Sequence, residues 1–171
     1  MFALIKLIQS LFGALHSEGT PGQLAAGIVL GSFLGLTPLL NLHNALIFAL
    51  LVLLNVSFAG GVLGWALFIP IGFLLDPLFD WIGHSLLLAP SLRGLWTSFC
   101  NTPIVPLTNF NNTVVLGSVV FAVLFAVPLF LATRVAVVRY RATIGERVRQ
   151  SKWYRTVMAS KVYNVYKMFR P

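Results

Sequence analysis

The chain has 171 residues, of which 58% are hydrophobic and 9% charged, with mean hydropathy +0.89 and a formal net charge of +8. That composition leaves too few charges to solvate a globular surface and points to an integral membrane protein with no separate soluble domain. A single Cys100 excludes an internal disulfide framework and offers no clustered partners for a metal site, so neither a metal nor a cofactor is expected.

The net charge is unevenly spread. Residues 1–75 hold only Lys6 and Glu18, and residues 76–133 hold Asp76, Asp80 and Arg93. Residues 134–171 hold ten Lys or Arg against one acid, Glu146. A basic segment beside a membrane span faces the cytoplasm and attracts anionic head groups, which favours membrane phospholipids over nucleic acid as its partner.

Residues 2–16 place Phe2, Leu4, Ile5, Leu7, Ile8, Leu11, Phe12 and Leu15 mostly on one helical side, with Lys6, Gln9 and Ser10 opposite. This predicts a helix lying in the membrane interface. No cleavable signal peptide is expected here, because Lys6 interrupts the apolar stretch and no small-residue cleavage site follows. Thr20 and Pro21 then supply a cap and a first helical position.

From Gly19 to Leu75 the chain runs 57 residues without Asp, Glu, Lys or Arg. A bilayer core of about 30 Å takes about 20 apolar residues per helical crossing, so three short segments fit in this run. The first, residues 21–40, carries Gly27, Gly31 and Gly35 at intervals of four, a spacing that lines one helix face for close approach of a partner helix. Pro38 predicts a break at Thr37-Pro38, so the segment either crosses or forms half of a re-entrant hairpin. As an alternative to packing, the glycine-lined backbone and Pro38 could open a site at membrane depth.

Asn41-Leu-His43-Asn44 reads as a compact polar turn, with His43 a candidate proton or phosphate contact. Residues 45–58 form a second segment. A third, residues 59–75, carries the small-residue pair Gly60 and Gly64 and a kinking Pro70.

Residues 76–100 alternate amphipathic pieces with breakers. Asp76-Pro77 is a helix-start signature, with Asp as cap and Pro in the first turn. Asp76, Asp80 and His84 recur every four residues and so share a helical face, which allows divalent-metal ligation or a proton relay as well as the plainer capping role. Trp81 and Trp96 suit the head-group level. Residues 101–113 form a polar loop whose Asn109, Asn111 and Asn112 suggest a helix cap or a head-group contact. The last span is expected over Val114–Val138, with Pro128 inside it. Residues 139–171 read as a basic amphipathic helix. There Arg139, Arg141, Arg147, Arg149, Lys152 and Arg155 contact lipid head groups.

The predicted architecture is therefore all-α: a polytopic helical membrane domain over residues 1–142 with about four hydrophobic segments, and a basic cytoplasmic tail over 143–171. Four crossings, or two crossings with a re-entrant hairpin, both place the two termini in the cytoplasm. No Gly-x-Ser-x-Gly elbow, His-Glu-x-x-His or phosphate-binding Gly-x-x-x-x-Gly-Lys occurs, and no enzymatic activity is expected.

Gln23-Leu-Ala-Ala-Gly27 followed by Gly31, Gly35 and Thr37-Pro38 resembles a bacterial membrane family catalogued as domain of unknown function twenty-sixty-two. Leu42-His-Asn44, Pro70-Ile-Gly-Phe-Leu-Leu-Asp-Pro77, Phe110-Asn-Asn-Thr-Val-Val-Leu-Gly-Ser118 and Val138-Arg-Tyr-Arg141 resemble a small Gram-negative subgroup of it, across most of residues 20–142. The family lends no site residues. Its members tend to be encoded beside a large envelope protein similar to the AsmA-like proteins that bridge the envelope and move lipid. The resemblance implies an inner-membrane module that partners or anchors such a complex in phospholipid transport. The competing expectation is a small oligomeric transporter or channel, using the Gly/Pro-broken helix and the Asp76/Asp80/His84 stripe.

Overall fold

The computed structural model describes residues 19–143. The interfacial helix expected over 2–16 and the tail cations Arg147, Arg149, Lys152 and Arg155 lie outside them. The described part is all-helical: α1 (Pro21–Leu36), α2 (Leu42–Leu53), α3 (Phe58–Leu88), α4 (Arg93–Cys100) and α5 (Thr113–Thr143), with 3-10 turns at Pro90–Leu92 and Val105–Thr108.

Helix α1 starts at a complete capping box. Thr20 Oγ1 accepts from the Gln23 backbone N–H, and Gln23 Oε1 accepts from the Thr20 N–H, with Pro21 in the first turn. It ends after Leu36, where Thr37 turns to extended backbone ahead of Pro38. At 16 residues it is about 24 Å long, and α2, at 12 residues, is about 18 Å long. Both fall short of a bilayer core of about 30 Å. By length and composition, α3 and α5, at 31 residues each, are long and apolar enough to cross a membrane.

Helices α3 and α5 form a long antiparallel hairpin. Gly83 lies against Thr113 and Gly117 against Phe79 at one end. At the other, Val137 joins Leu24, Ile28 and Leu63 in a buried cluster, and Arg141 donates to the Gly19 carbonyl at 2.9 Å. Helix α1 runs parallel to the first half of α3 and stops where Gly72 meets Gly35. Helix α2 returns along the outside, so that the Ser57 N–H donates to the Gln23 carbonyl at 3.0 Å beside the start of α1. A second cluster, Leu36, Phe79 and Ala122, closes the middle of the bundle.

Small residues set this geometry. A Cβ on Gly27 or Gly31 would overlap the Ser57 or Gly61 carbonyl, and one on Gly35 would lie 2.7 Å from the Trp65 carbonyl oxygen. Reciprocally, Gly60 and Gly64 admit the α1 backbone at Leu24 and Ile28, and Gly72 admits it at Gly35. Glycine at these positions lets backbones meet where any side chain would force the helices apart.

Two expectations require correction. Residues 59–75 are not a separate segment followed by a new helix at Asp76-Pro77. One helix runs through Pro70 and Pro77, and Asp76 sits in its interior, not at a cap. Each proline removes one backbone donor, a cost of about 3 kcal/mol in an isolated helix. Packing offsets that cost here, since Gly72 is locked on α1 and Phe79 and Gly83 on α5, on either side of Pro77. His43 and Asn44 likewise belong to the first turn of α2, not to a free turn.

Candidate functional site

Polar side chains converge where the α1–α2 connection meets the loop before α5. Thr37 Oγ1 lies 2.7 Å from both the Phe33 carbonyl and Asn44 Oδ1, so its one proton serves either acceptor. Asn44, buried, donates through Nδ2 to the Pro38 carbonyl at 2.7 Å and to that of Leu39 at 3.4 Å. Asn41 Nδ2 donates to the same Pro38 oxygen at 2.7 Å. Thus the carbonyls left free by the helix break are met by the Asn41 and Asn44 side chains, three and six residues beyond Pro38.

The facing loop completes the cluster. Asn109 takes a left-handed backbone conformation, φ 54°, and its Nδ2 donates to Asn41 Oδ1. Asparagine tolerates this region better than other non-glycine residues. Asn112 Oδ1 accepts from the Val115 N–H at 3.1 Å and caps α5. Between Pro38, Leu40 and Asn41 on one side and Asn109, Asn111, Asn112 and Val115 on the other lies an open cleft of about 350 Å³. Among the described residues no charged side chain lines it.

The loop itself is anchored by aromatics. Phe110 is buried, stacked on Trp96 at 5.9 Å and edge-on to Phe99 at 5.6 Å, and Trp96 Nε1 donates to the Leu86 carbonyl at 3.0 Å. Trp96 is therefore a structural pin between α4 and the end of α3, whereas Trp81 is exposed. His43 hydrogen-bonds to the Thr108 backbone and lies outside the two long helices. Its Nε2 is buried with no partner among the described residues, and burial pulls its pKa below the ordinary 6.5, against the opposing effect of the Thr108 bond.

The other site residues separate from this cluster. Asp76 is half-buried, while Asp80 and His84 are exposed. Asp80 accepts from Thr113 Oγ1, which puts its carboxylate at the positive end of α5. Among the described residues no three His, Cys, Asp or Glu side chains come together as a metal site. Arg139 and Arg134 are exposed at the far end, and the half-buried Arg141 is engaged by Gly19. Asn109, Asn111 and Asn112 stand together in the sequence, but nothing local marks Asn41 as their bridge to the α1–α2 connection, or Gly61, Gly72, Gly83 and Gly117 as close contacts.

The fold defines a helical protein with two helices able to span a membrane and a shorter helical hairpin packed against them. Residues 7–144 match the family described as "Uncharacterized protein conserved in bacteria (DUF2062)", and the chain belongs to that family. It is also similar to an "Uncharacterized protein" of Treponema pallidum (strain Nichols), at 29% identity over 151 residues, 86% of this chain and 91% of that protein. No solved structure matches it.

Proposed function

We propose that this chain is a non-enzymatic, multi-pass module of the bacterial inner membrane that partners or anchors a larger envelope complex handling phospholipids. The observation that carries the membrane reading is the apolar exterior of the bundle. Leu46, Phe48 and Val52 on α2, Phe73 and Leu74 on α3, and Leu124, Val127 and Leu131 on α5 are all exposed. Apolar surface on this scale is covered by lipid or by another protein. In this reading α3 and α5 cross the bilayer, and the α1–α2 hairpin enters and leaves from the side where α1 begins, its tip reaching the loop before α5 through the Asn41–Asn109 contact.

Orientation follows from charge. Arg134, Arg139 and Arg141 gather where α1 begins and α5 ends, and further cations follow in the sequence, so this end faces the cytoplasm. The cleft end then faces the periplasm. The partner part of the proposal is supported by the family resemblance to proteins encoded beside a large AsmA-like envelope protein. Its physical support is α2, which buries only Asn44 and Leu51 and leaves a flank for another helix.

The test is crosslinking in cells, gentle detergent extraction and mass spectrometry. Stoichiometric recovery of one large envelope protein with phospholipid attached is the expected result. A chain recovered alone and monomeric contradicts the proposal. Recovery of self-crosslinked copies only would favour the oligomeric transporter, with the exposed Asp80 and His84 as the next residues to substitute.

A further inference from the structure

We propose that the asparagine cleft binds an uncharged polyhydroxylated group, such as a sugar, presented as the head group of a lipid. The chemistry of the lining carries this. Asn41, Asn109, Asn111 and Asn112 converge on about 350 Å³ without a Lys, Arg, Asp or Glu among the lining residues. Carboxamides offer both donors and acceptors, which suits hydroxyls that are themselves both. A phosphate or carboxylate would be bound far more weakly here, because charge-assisted donors are missing from the lining. The volume exceeds a water site by an order of magnitude and is of the size that small polar ligands occupy.

The carboxamides are not used up by the fold. Asn41 and Asn109 hold each other in place and Asn112 caps α5 through its oxygen, which leaves its Nδ2 available. Asn111 is exposed, with no hydrogen bond to a described residue, at the rim of the cleft. The pair Asn41–Asn109 is thus a preorganised floor, and Asn111 and Asn112 are adaptable donors above it.

The lipid source is favoured over a free sugar by the surroundings. Leu39 and Leu40 on the hairpin tip and Ile104 and Leu107 on the opposite loop are exposed, Leu40 at 95%. The exposed Leu40 in the cleft lining, with Leu39 beside it, puts apolar surface next to the polar floor, which suits a molecule with a hydroxylated head and a hydrocarbon tail. This inference does not depend on a protein partner, since the cleft lies within one chain.

The experiment is native mass spectrometry of the full chain in nanodiscs, with monoglucosyldiacylglycerol, phosphatidylglycerol or free glucose as probes. Retention of the glucolipid over phosphatidylglycerol by at least tenfold is expected. Asn111→Leu, which removes no contact within the described fold, should abolish that preference while leaving the thermal midpoint unchanged. Free glucose at matching concentration should leave the chain unliganded; binding as tight as that of the glucolipid would overturn the lipid source. Equal retention of all lipids, preference for phosphatidylglycerol, or unchanged glucolipid binding by both Asn111→Leu and Asn112→Ala would overturn the proposal.

Discussion

Gly31 of α1 rests directly on the backbone of Gly61 in α3, and a methyl group at position 31 would overlap the Gly61 carbonyl oxygen. Neither backbone has a flexible neighbour to displace, so Gly31→Ala forces the two helices apart along their length. We expect a loss of about 1–3 kcal/mol, near the upper end, read as a lowered unfolding midpoint in detergent. Gly94→Ala is the control, since nothing lies within 4 Å of a Cβ there. That substitution should change stability by no more than about 0.5 kcal/mol. The reverse order would show that close backbone packing does not hold α1 on α3.

Asn44 stabilises the helix break through Thr37 and the Pro38 carbonyl. Asn44→Ala removes one of the two side-chain donors to the Pro38 carbonyl and an acceptor of the Thr37 hydroxyl, and should cost about 0.5–1.5 kcal/mol. Thr37→Val removes the partner hydroxyl at nearly constant volume. The two losses should be non-additive by about 0.5 kcal/mol or more, which a double-mutant cycle measures. Strict additivity would separate Thr37 from the network.

His43 gives the fold a pH dependence with a defined sign. Burial lowers its pKa below 6.5, so the unfolded chain takes up the proton more readily than the folded one. Its contribution to stability is fully present above about pH 6.5 and is lost as pH falls through the lowered folded value. Protonation would also place a charge at Nε2, which has no partner among the described residues. His43→Gln should flatten the stability profile on the acid side of neutrality; an unchanged slope would remove His43 as its cause.

Asp80 sits at the start of α5 through Thr113. Asp80→Asn should destabilise by about 0.3–1 kcal/mol, through loss of the charge–dipole attraction. His84→Ala, at an exposed position, should fall within about 0.5 kcal/mol. Added zinc should leave both midpoints where they are, since no three His, Cys, Asp or Glu side chains among the described residues come together as a metal site. A zinc-dependent rise abolished by either substitution would restore the metal reading of the stripe.

Local signals made much of α1 legible in the sequence. Thr20, Pro21 and Gln23 mark its start, and Thr37-Pro38 marks its end. The glycines at 27, 31, 35, 60 and 64 could be read from their spacing, and Gly72 continues the row eight residues beyond Gly64. Gly83 and Gly117 could not, because each is isolated and its partner backbone is supplied by the other long helix. The continuity of α3 was hidden for a related reason. Asp76-Pro77 is a strong local start signal, and only the packing of Gly72, Phe79 and Gly83 overrides it. The asparagine cluster was visible as composition, but the Asn41–Asn109 contact joins residues 68 apart, and no local pattern encodes it.

The central claim is that α3 and α5 cross the membrane with the cleft end outside the cytoplasm. Cysteine labelling tests it most directly. The native Cys100 is exposed on α4 at that end, and Asn55 is exposed at the opposite one. In intact spheroplasts a membrane-impermeant maleimide should label Cys100. In the Cys100→Ser background, Asn55→Cys should react only after permeabilisation. Labelling of position 55 with protection of Cys100 would invert the topology, and labelling of both in intact cells would contradict the crossing itself.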